Sequence, residues 1–196
     1  MRQQIIFETA RLYVRRPTSK DKDVNFYFQL WNDPRVMTNV GFPKGLMIRR
    51  EDIIAQIARA DETEYDKTLL IIDKETNESV GECKLGLADD EGIAHTDVKL
   101  IPEFWGKGYG IEIKQALVNY LFTHTDCTAI QASPNKENIA SQKMQERVGG
   151  KRIKEGTYHF PEHMRSYTKD IELYIYRLTR SDWEERKKKK LGVLHD

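Results

Sequence analysis

Apolar positions recur along the chain in two rhythms, and the change from one to the other sets the element order. "RLYVRR" (11–16) alternates and reads as a first strand that Pro17 breaks. In "SKDKDVNFYFQLWND" (19–33), Val24, Tyr27, Phe28 and Trp31 stand near helical spacing until "NDP" stops the run. Ile53, Ile54, Ile57 and Ala58 mark a second amphipathic helix over 49–60. Between them "PRVMTNVGFPKG" (34–45) is irregular, rich in Gly and Pro, and of a length often tied to function. "TLLII" (68–72), "VGECKL" (80–85) and "IAHTDVKL" (93–100) are strands joined by polar turns, which suggests an antiparallel meander.

After the meander the rhythm turns helical. Ile113, Ala116, Leu117, Tyr120 and Leu121 mark a helix of about four turns. "TAIQAS" (128–133) is a short strand ended by Pro134, and a helix from about Asn138 closes at Gly149-Gly150. "KRIKEGTYHF" (151–160) and "DIELYIYRL" (170–178) are two last strands around a polar loop. "SDWEERKKKK" (181–190) reads as a charged terminal helix or a frayed tail. The order β, α, α, three strands, α, β, α, two strands is α+β with one crossover helix, not a doubly wound alternation.

Composition narrows the function classes. The 196 residues suit one domain, expected over 1–183, with a charged tail over 184–196. A 39% apolar content permits a core, and 32% charged residues imply a highly charged surface. The net charge of +1 argues against a dedicated nucleic-acid binder, and "RKKKK" (186–190) reads as a solvated tail. Cys83 and Cys127 stand in unrelated contexts without metal spacing, so no metal is expected and a reducing compartment fits. The first 16 residues lack a signal-peptide core and no run is long enough to span a membrane, so a cytoplasmic protein is expected.

The candidate chemistry gathers at "IPEFWGKGYGIE" (101–112), between the third meander strand and the crossover helix. Neither GxxxxGK[ST] nor GxGxxG is present, because the positions after the glycines are Ile111 and Ile113. Three glycines still let the backbone approach a ligand, the helix N-terminus offers free N–H groups, and Lys107 adds a charge. A glycine turn without a ligand accounts for the spacing equally well.

The stretch "DVKLIPEFWGKGYGIE" (97–112) resembles the Q/R-x-x-G-x-G/A motif of the GNAT (Gcn5-related) N-acetyltransferases, and "WGKGY" resembles its RimJ/RimL-like branch. "PNKENIASQKMQERVGG" (134–150) is similar to that branch's N-x-x-S helix, "ETARLYVRRPTSKD" (8–21) to its opening and "IYRLTRSDW" (175–183) to its close. Four motifs in order cover nearly the whole chain. The resemblance implies a GNAT fold: a mixed, mostly antiparallel sheet of about seven strands with a splayed central pair and about four flanking helices.

The resemblance also implies chemistry. Acetyl-CoA would be held by Trp105, Gly106, Lys107, Gly108, Tyr109 and Gly110 at its pyrophosphate, and by the backbone of Val98, Lys99 and Leu100 along its pantetheine arm. The Val98 N–H would face the thioester oxygen. Asn138 matches the family residue that bonds the arm, with a helix N-cap as the alternative. The family's usual tyrosine acid is missing, because its position is Gln145; Ser141 is then the candidate acid, or a small residue packed beside CoA.

Strand alternation puts His95, Asp97 and Lys99 on one face and Ala94, Thr96, Val98 and Leu100 on the other. Asp97 leads as general base, then His95, then Glu82 on the neighbouring strand, against the alternative of a solvated polar face. His159, Glu162 and His163 read as a surface loop. The expected reaction is direct attack of a primary amine on the thioester, in a monomer or homodimer. The acceptor would be a protein N-terminus, or a small amine such as a polyamine or aminoglycoside. A non-catalytic acyl-CoA-binding protein is the remaining alternative.

Overall fold

A computed structural model describes residues 5–60, 65 and 67–192. The ends of the expected domain and tail, 1–4 and 193–196, lie outside the described residues, as do 61–64, 66 and the side chain of Lys190. The described chain forms strands β1 (Ile5–Glu8) and β2 (Leu12–Arg15), then helices α1 (Asp21–Asn32), α2 (Pro34–Met37) and α3 (Arg50–Ala60). The meander follows as β3 (Lys67–Asp73), β4 (Ser79–Ala88) and β5 (Ile93–Leu100). Then come α4 (Tyr109–His124), β6 (Ala129–Ala132), α5 (Ile139–Val148), β7 (Lys151–Tyr158), β8 (Ile171–Thr179) and α6 (Arg180–Gly192).

Among the described residues the sheet has eight strands in the order β1-β2-β3-β4-β5-β6-β8-β7, and there are six α-helices. Both numbers exceed the expected seven and four. β1 pairs antiparallel with β2, and α2 is a single turn inside the segment read as irregular. α6 runs through residue 183 as a continuous helix. Trp183 packs on Phe122 at 5.2 Å, and the Arg180 guanidinium bonds the carbonyls of Phe122, Thr125 and Cys127.

The sheet divides two apolar cores. Leu12, Val14, Leu69, Ile71, Cys83, Leu85 and Ile130 pack under Ile113, Leu117, Val118 and Leu121 of α4. On the other face Leu70 and Ile72 pack against Val24, Tyr27 and Leu30 of α1 and Ile53 and Ile57 of α3. Burial of both stripes, more than local propensity, holds these helices in place.

One departure from regular pairing positions everything that follows. β5 lies along β4 for its full length, from Ala88↔Ala94 to Gly81↔Leu100. Its parallel pairing with β6 covers only Ile93↔Ala129, Ala94↔Ile130 and His95↔Gln131. Beyond Ala132 the chain keeps following β8: the Tyr174 N–H bonds the Pro134 carbonyl, Asn135 bridges Leu173, and the Lys136 N–H bonds the Glu172 carbonyl. The sheet therefore opens on the β6 side of Thr96 to Leu100. A bulge in β4 across from His95 marks the closed end of this gap; a Cβ on Gly86 there would sit 1.9 Å from the His95 carbonyl oxygen.

Candidate active site

The backbone groups that face the gap follow from alternation. The Ile101 N–H bonds the Val80 carbonyl at 3.1 Å, so the N–H and C=O of Val98 and Leu100 point away from β4, into the opening. Both are engaged by side chains of this chain. The Val98 N–H donates to Asp97 Oδ1 at 2.9 Å, and the Leu100 carbonyl accepts from the Trp105 indole N–H at 2.8 Å.

The glycine loop stands at the open end of the gap. Gly106 has φ +75° and Gly108 φ +81°, the left-handed region where a side chain is costly. The first intrahelical bond of α4 runs from the Glu112 N–H to the Gly108 carbonyl at 3.2 Å, which leaves the amides of Tyr109, Gly110 and Ile111 without helical acceptors. No atom lies within 4 Å of a Cβ built on Gly106, so the loop is a cradle open to an anion.

The loop is braced from behind. Tyr109 donates to Asp73 Oδ2 at 2.5 Å, stacks on Phe104 and carries the Arg11 guanidinium on its ring at 4.5 Å. Arg11 also bonds the Lys107 carbonyl and Glu112. The Tyr109 hydroxyl, then the Thr76 N–H, hold the Asp73 carboxyl below its ordinary range. The Lys107 ammonium lies over the Phe104 ring at 4.4 Å.

On the α1 face of the sheet Glu82, Lys99 and Asp97 form a charged cluster. Glu82 lies opposite Lys99 and is buried; it accepts from the Lys99 ammonium at 3.1 Å and from the Trp31 indole at 2.9 Å. Lys99 also pairs with Asp97, whose side chain is 47% exposed. Burial pushes the Asp97 carboxyl up, but the Lys99 ammonium and the Val98 N–H outweigh it and hold it below the usual range. Burial raises Glu82, and Lys99 offsets only part of that. Lys99 is pulled down by burial and pulled up further by its two carboxylates.

The remaining sequence candidates lie around this frame. His95 sits at the closed end against Asp89, at 3.7 Å, half exposed and without a printed contact to the cluster. Asn138 is the N-cap of α5, its Oδ1 accepting from the Ser141 N–H at 3.0 Å, and Ser141 lies half buried in the first turn. Met144, one turn on, approaches Gly110: a Cβ there would sit 3.4 Å from its sulfur. The irregular segment after α1 and the β7–β8 loop meet. The Lys169 N–H bonds the Gly41 carbonyl at 2.8 Å, and Phe42 packs edge-on against Phe160 at 5.3 Å. His159 pairs with Asp170 in that loop.

One buried group was not singled out by the sequence. Lys114 of α4 is 2% exposed and donates to the Thr96 hydroxyl at the start of the gap. The apolar stripe read from the sequence named Ala116 and Tyr120, but Lys114 and Val118 are the buried flank. The available signal was the set Leu117, Val118 and Leu121, three, four and seven positions after Lys114.

Residues 11–151 match the family described as the acetyltransferase (GNAT) domain. The chain is 33% identical over 138 residues to the uncharacterized N-acetyltransferase p20 of Bacillus licheniformis, covering 69% of this chain and 76% of that protein. Its fold is similar to a GNAT-family acetyltransferase of Bacillus anthracis, with TM-score 0.72, 22% identity and coverage of 89% and 98% of the two chains. It is also similar to spermidine N-acetyltransferase of Vibrio cholerae in complex with CoA and spermine, with TM-score 0.71, 16% identity and coverage of 89% and 98%. Ribosomal-protein-S5-alanine acetyltransferase of Vibrio fischeri matches with TM-score 0.68, 17% identity and coverage of 90% and 97%. No described helix is long and apolar enough to cross a membrane.

Proposed function

The chain belongs to the GNAT acetyltransferase family and is an acetyl-CoA-dependent N-acetyltransferase; from that premise we propose that it acetylates the single primary amine of a peptide N-terminus, from a donor held in the β5–β6 gap. The observation that carries the reading is the opening beside Thr96 to Leu100 with a helix N-terminus and a glycine cradle at its mouth. Acetyl-CoA fits these groups. Its pyrophosphate would take the orphan amides of residues 109–111 and the open face of Gly106. Its pantetheine arm would replace the indole of Trp105 on the Leu100 carbonyl. The thioester oxygen would replace the Asp97 carboxylate on the Val98 N–H, a donor aimed where negative charge develops.

Acetyl-CoA supplies the activated acyl group; the chain supplies position and charge. The acceptor enters from the α1 face, where two carboxylates share one ammonium, an arrangement that accommodates one further cation. Asp97 is the exposed member and meets the incoming ammonium, taking its proton toward solvent. Glu82, gripped by Trp31 and Lys99, holds Lys99 in place and is not the base. Ser141 lines the α5 side. The Phe42–Phe160 contact joins two loops into one wall of the acceptor cleft.

A site with one surplus carboxylate suits a monoamine better than a polyamine, whose several cations need several carboxylates. The spermidine enzyme's likeness is one of fold, so a small polyamine is the competing acceptor. A panel of N-terminal peptides, polyamines and aminoglycosides, followed by CoA release, tests this. Turnover of peptides above polyamines supports the reading, and the reverse order refutes it.

A further inference from the structure

The buried lysine beneath the gap has no role in the scheme above. Thr96 is the first residue of β5 past its last pairing with β6, and its side chain turns to the α4 face, opposite Asp97 and Lys99. Lys114 reaches up from α4 and donates to Thr96 Oγ1. A buried ammonium has three protons to place, and this one has a single neutral hydroxyl as its printed partner. Such a group is costly to bury without an anion, so its retention calls for one. The acceptor-face carboxylates are on the other side of the strand. The anion that forms on the α4 side, at the closed end of the gap, is the sulfur of the departing CoA.

We propose that Lys114, acting through the Thr96 hydroxyl, protonates the leaving thiolate and holds its charge before protonation. This rests on the reading of the gap as the acetyl-CoA site. The acceptor nitrogen forms the C–N bond while the C–S bond breaks and sulfur leaves with the bonding pair. The Thr96 O–H gives its proton to sulfur, and a Lys114 N–H proton moves to the Thr96 oxygen. Lys114 is left neutral and regains a proton from solvent. The surplus proton on the new amide nitrogen leaves on the Asp97 side. Because Lys114 fills a lone pair of the Thr96 oxygen, the hydroxyl's own proton is free to point into the gap.

The surroundings suit the task. β5 contributes Thr96 and, through the strand, the field of Asp97; β4 contributes the Cys83 thiol, which burial keeps protonated; β1 contributes the apolar Ile6 and Phe7; α5 contributes the buried Gln145. Burial pulls Lys114 down to about 8, against an opposing pull from Asp97. A group with that affinity is charged at neutral pH and gives up its proton more readily than an exposed lysine. The position of Gln145, where the resemblance expects a tyrosine acid, leaves this task open to another residue.

The test is the ionisation of the CoA thiol when bound, followed by thiolate ultraviolet absorbance against pH in the wild type, K114M and T96V. S-methyl-CoA, which has no thiol, serves as the affinity control. The thiol should ionise about tenfold more readily in the wild type than in K114M, with T96V shifted the same way. S-methyl-CoA should bind all three alike. An identical thiol titration in the wild type and both variants overturns the proposal, as does a parallel loss of S-methyl-CoA affinity, which marks a structural role. Failure of the wild type to bind CoA overturns the reading of the gap itself.

Discussion

The Asp97 carboxylate accepts a hydrogen bond from the N–H of Val98, the next residue, at 2.9 Å, and also pairs with Lys99. A carboxylate thus sits on the one backbone donor that the proposed reaction reserves for a developing oxyanion. The donor is pre-aimed, and Asp97 must release it when the thioester enters.

Asp97→Asn keeps an oxygen for Val98 but removes the charge that meets the incoming amine. Turnover should fall by about tenfold or more, within the range of acid–base contributions. CoA affinity should stay within about twofold of the wild type, because the phosphate cradle is untouched. Steady-state kinetics with calorimetric CoA binding checks both. Wild-type turnover at neutral pH would remove Asp97 from the site.

Gly106→Asp tests the cradle. Nothing lies within 4 Å of a Cβ at that position, and Asp tolerates positive φ better than most residues. The variant should fold, with a midpoint close to the wild type. Its carboxylate would face the pyrophosphate, so CoA affinity should drop by about tenfold or more, with partial recovery in high salt. Calorimetry at two salt concentrations reads this; unchanged affinity contradicts the cradle assignment.

Tyr109→Phe removes the hydrogen bond to Asp73 and with it the main support of the loop from behind. A bond to a charged acceptor is worth about 1.5–3 kcal/mol, less here because Tyr109 is only half buried. Asp73 has its folded pKa depressed, so the bond's stabilisation is present above the ordinary value of 3.8 and is lost as pH falls through the folded one. The stability gap between wild type and variant should be flat from neutral pH to about 5 and close in acid. Urea unfolding across that range measures it. A gap that widens in acid contradicts the assigned sign.

Lys114→Met replaces a buried charge by an apolar side chain of similar length. It should raise the unfolding midpoint at pH 7, since a buried charge with one neutral partner costs more than it returns. Lys114 has its folded pKa lowered to about 8 from 10.5, so between those values the unfolded chain binds more protons and wild-type stability rises with pH. The advantage of the variant should therefore shrink across that window by up to about 3 kcal/mol. Thermal melts of both proteins at pH 7 and pH 10 give the comparison; a constant difference would contradict the buried, charged state of Lys114 at neutral pH.

The meander, the crossover helix and the glycine loop were legible because each is a local pattern. Alternation ends at Leu100, glycines follow, and a helical stripe opens. β1 was missed because "IIFE" (5–8) does not alternate and is held as a strand by pairing with β2, a tertiary fact. Placing Asp97 and Lys99 on one face needed only the period of two, and the cluster bears that out. That Glu82 lies opposite Lys99 depends on register, which the β4 bulge sets and the sequence does not reveal. The capping bond of Asn138 to the Ser141 N–H was one of two readings open to the sequence. The opening of the sheet belongs to β6 following β8 after Ala132, a choice made by two strands more than 30 positions apart in the chain.

The central claim is that the donor lies in the β5–β6 gap, and an amide chemical-shift titration of ¹⁵N-labelled protein with CoA tests it most directly. The account predicts the largest shifts at the N–H groups of Val98, Leu100 and residues 106–111, together with the Trp105 indole as it leaves the Leu100 carbonyl. Saturable shifts confined to another face, with those groups unmoved, would contradict it.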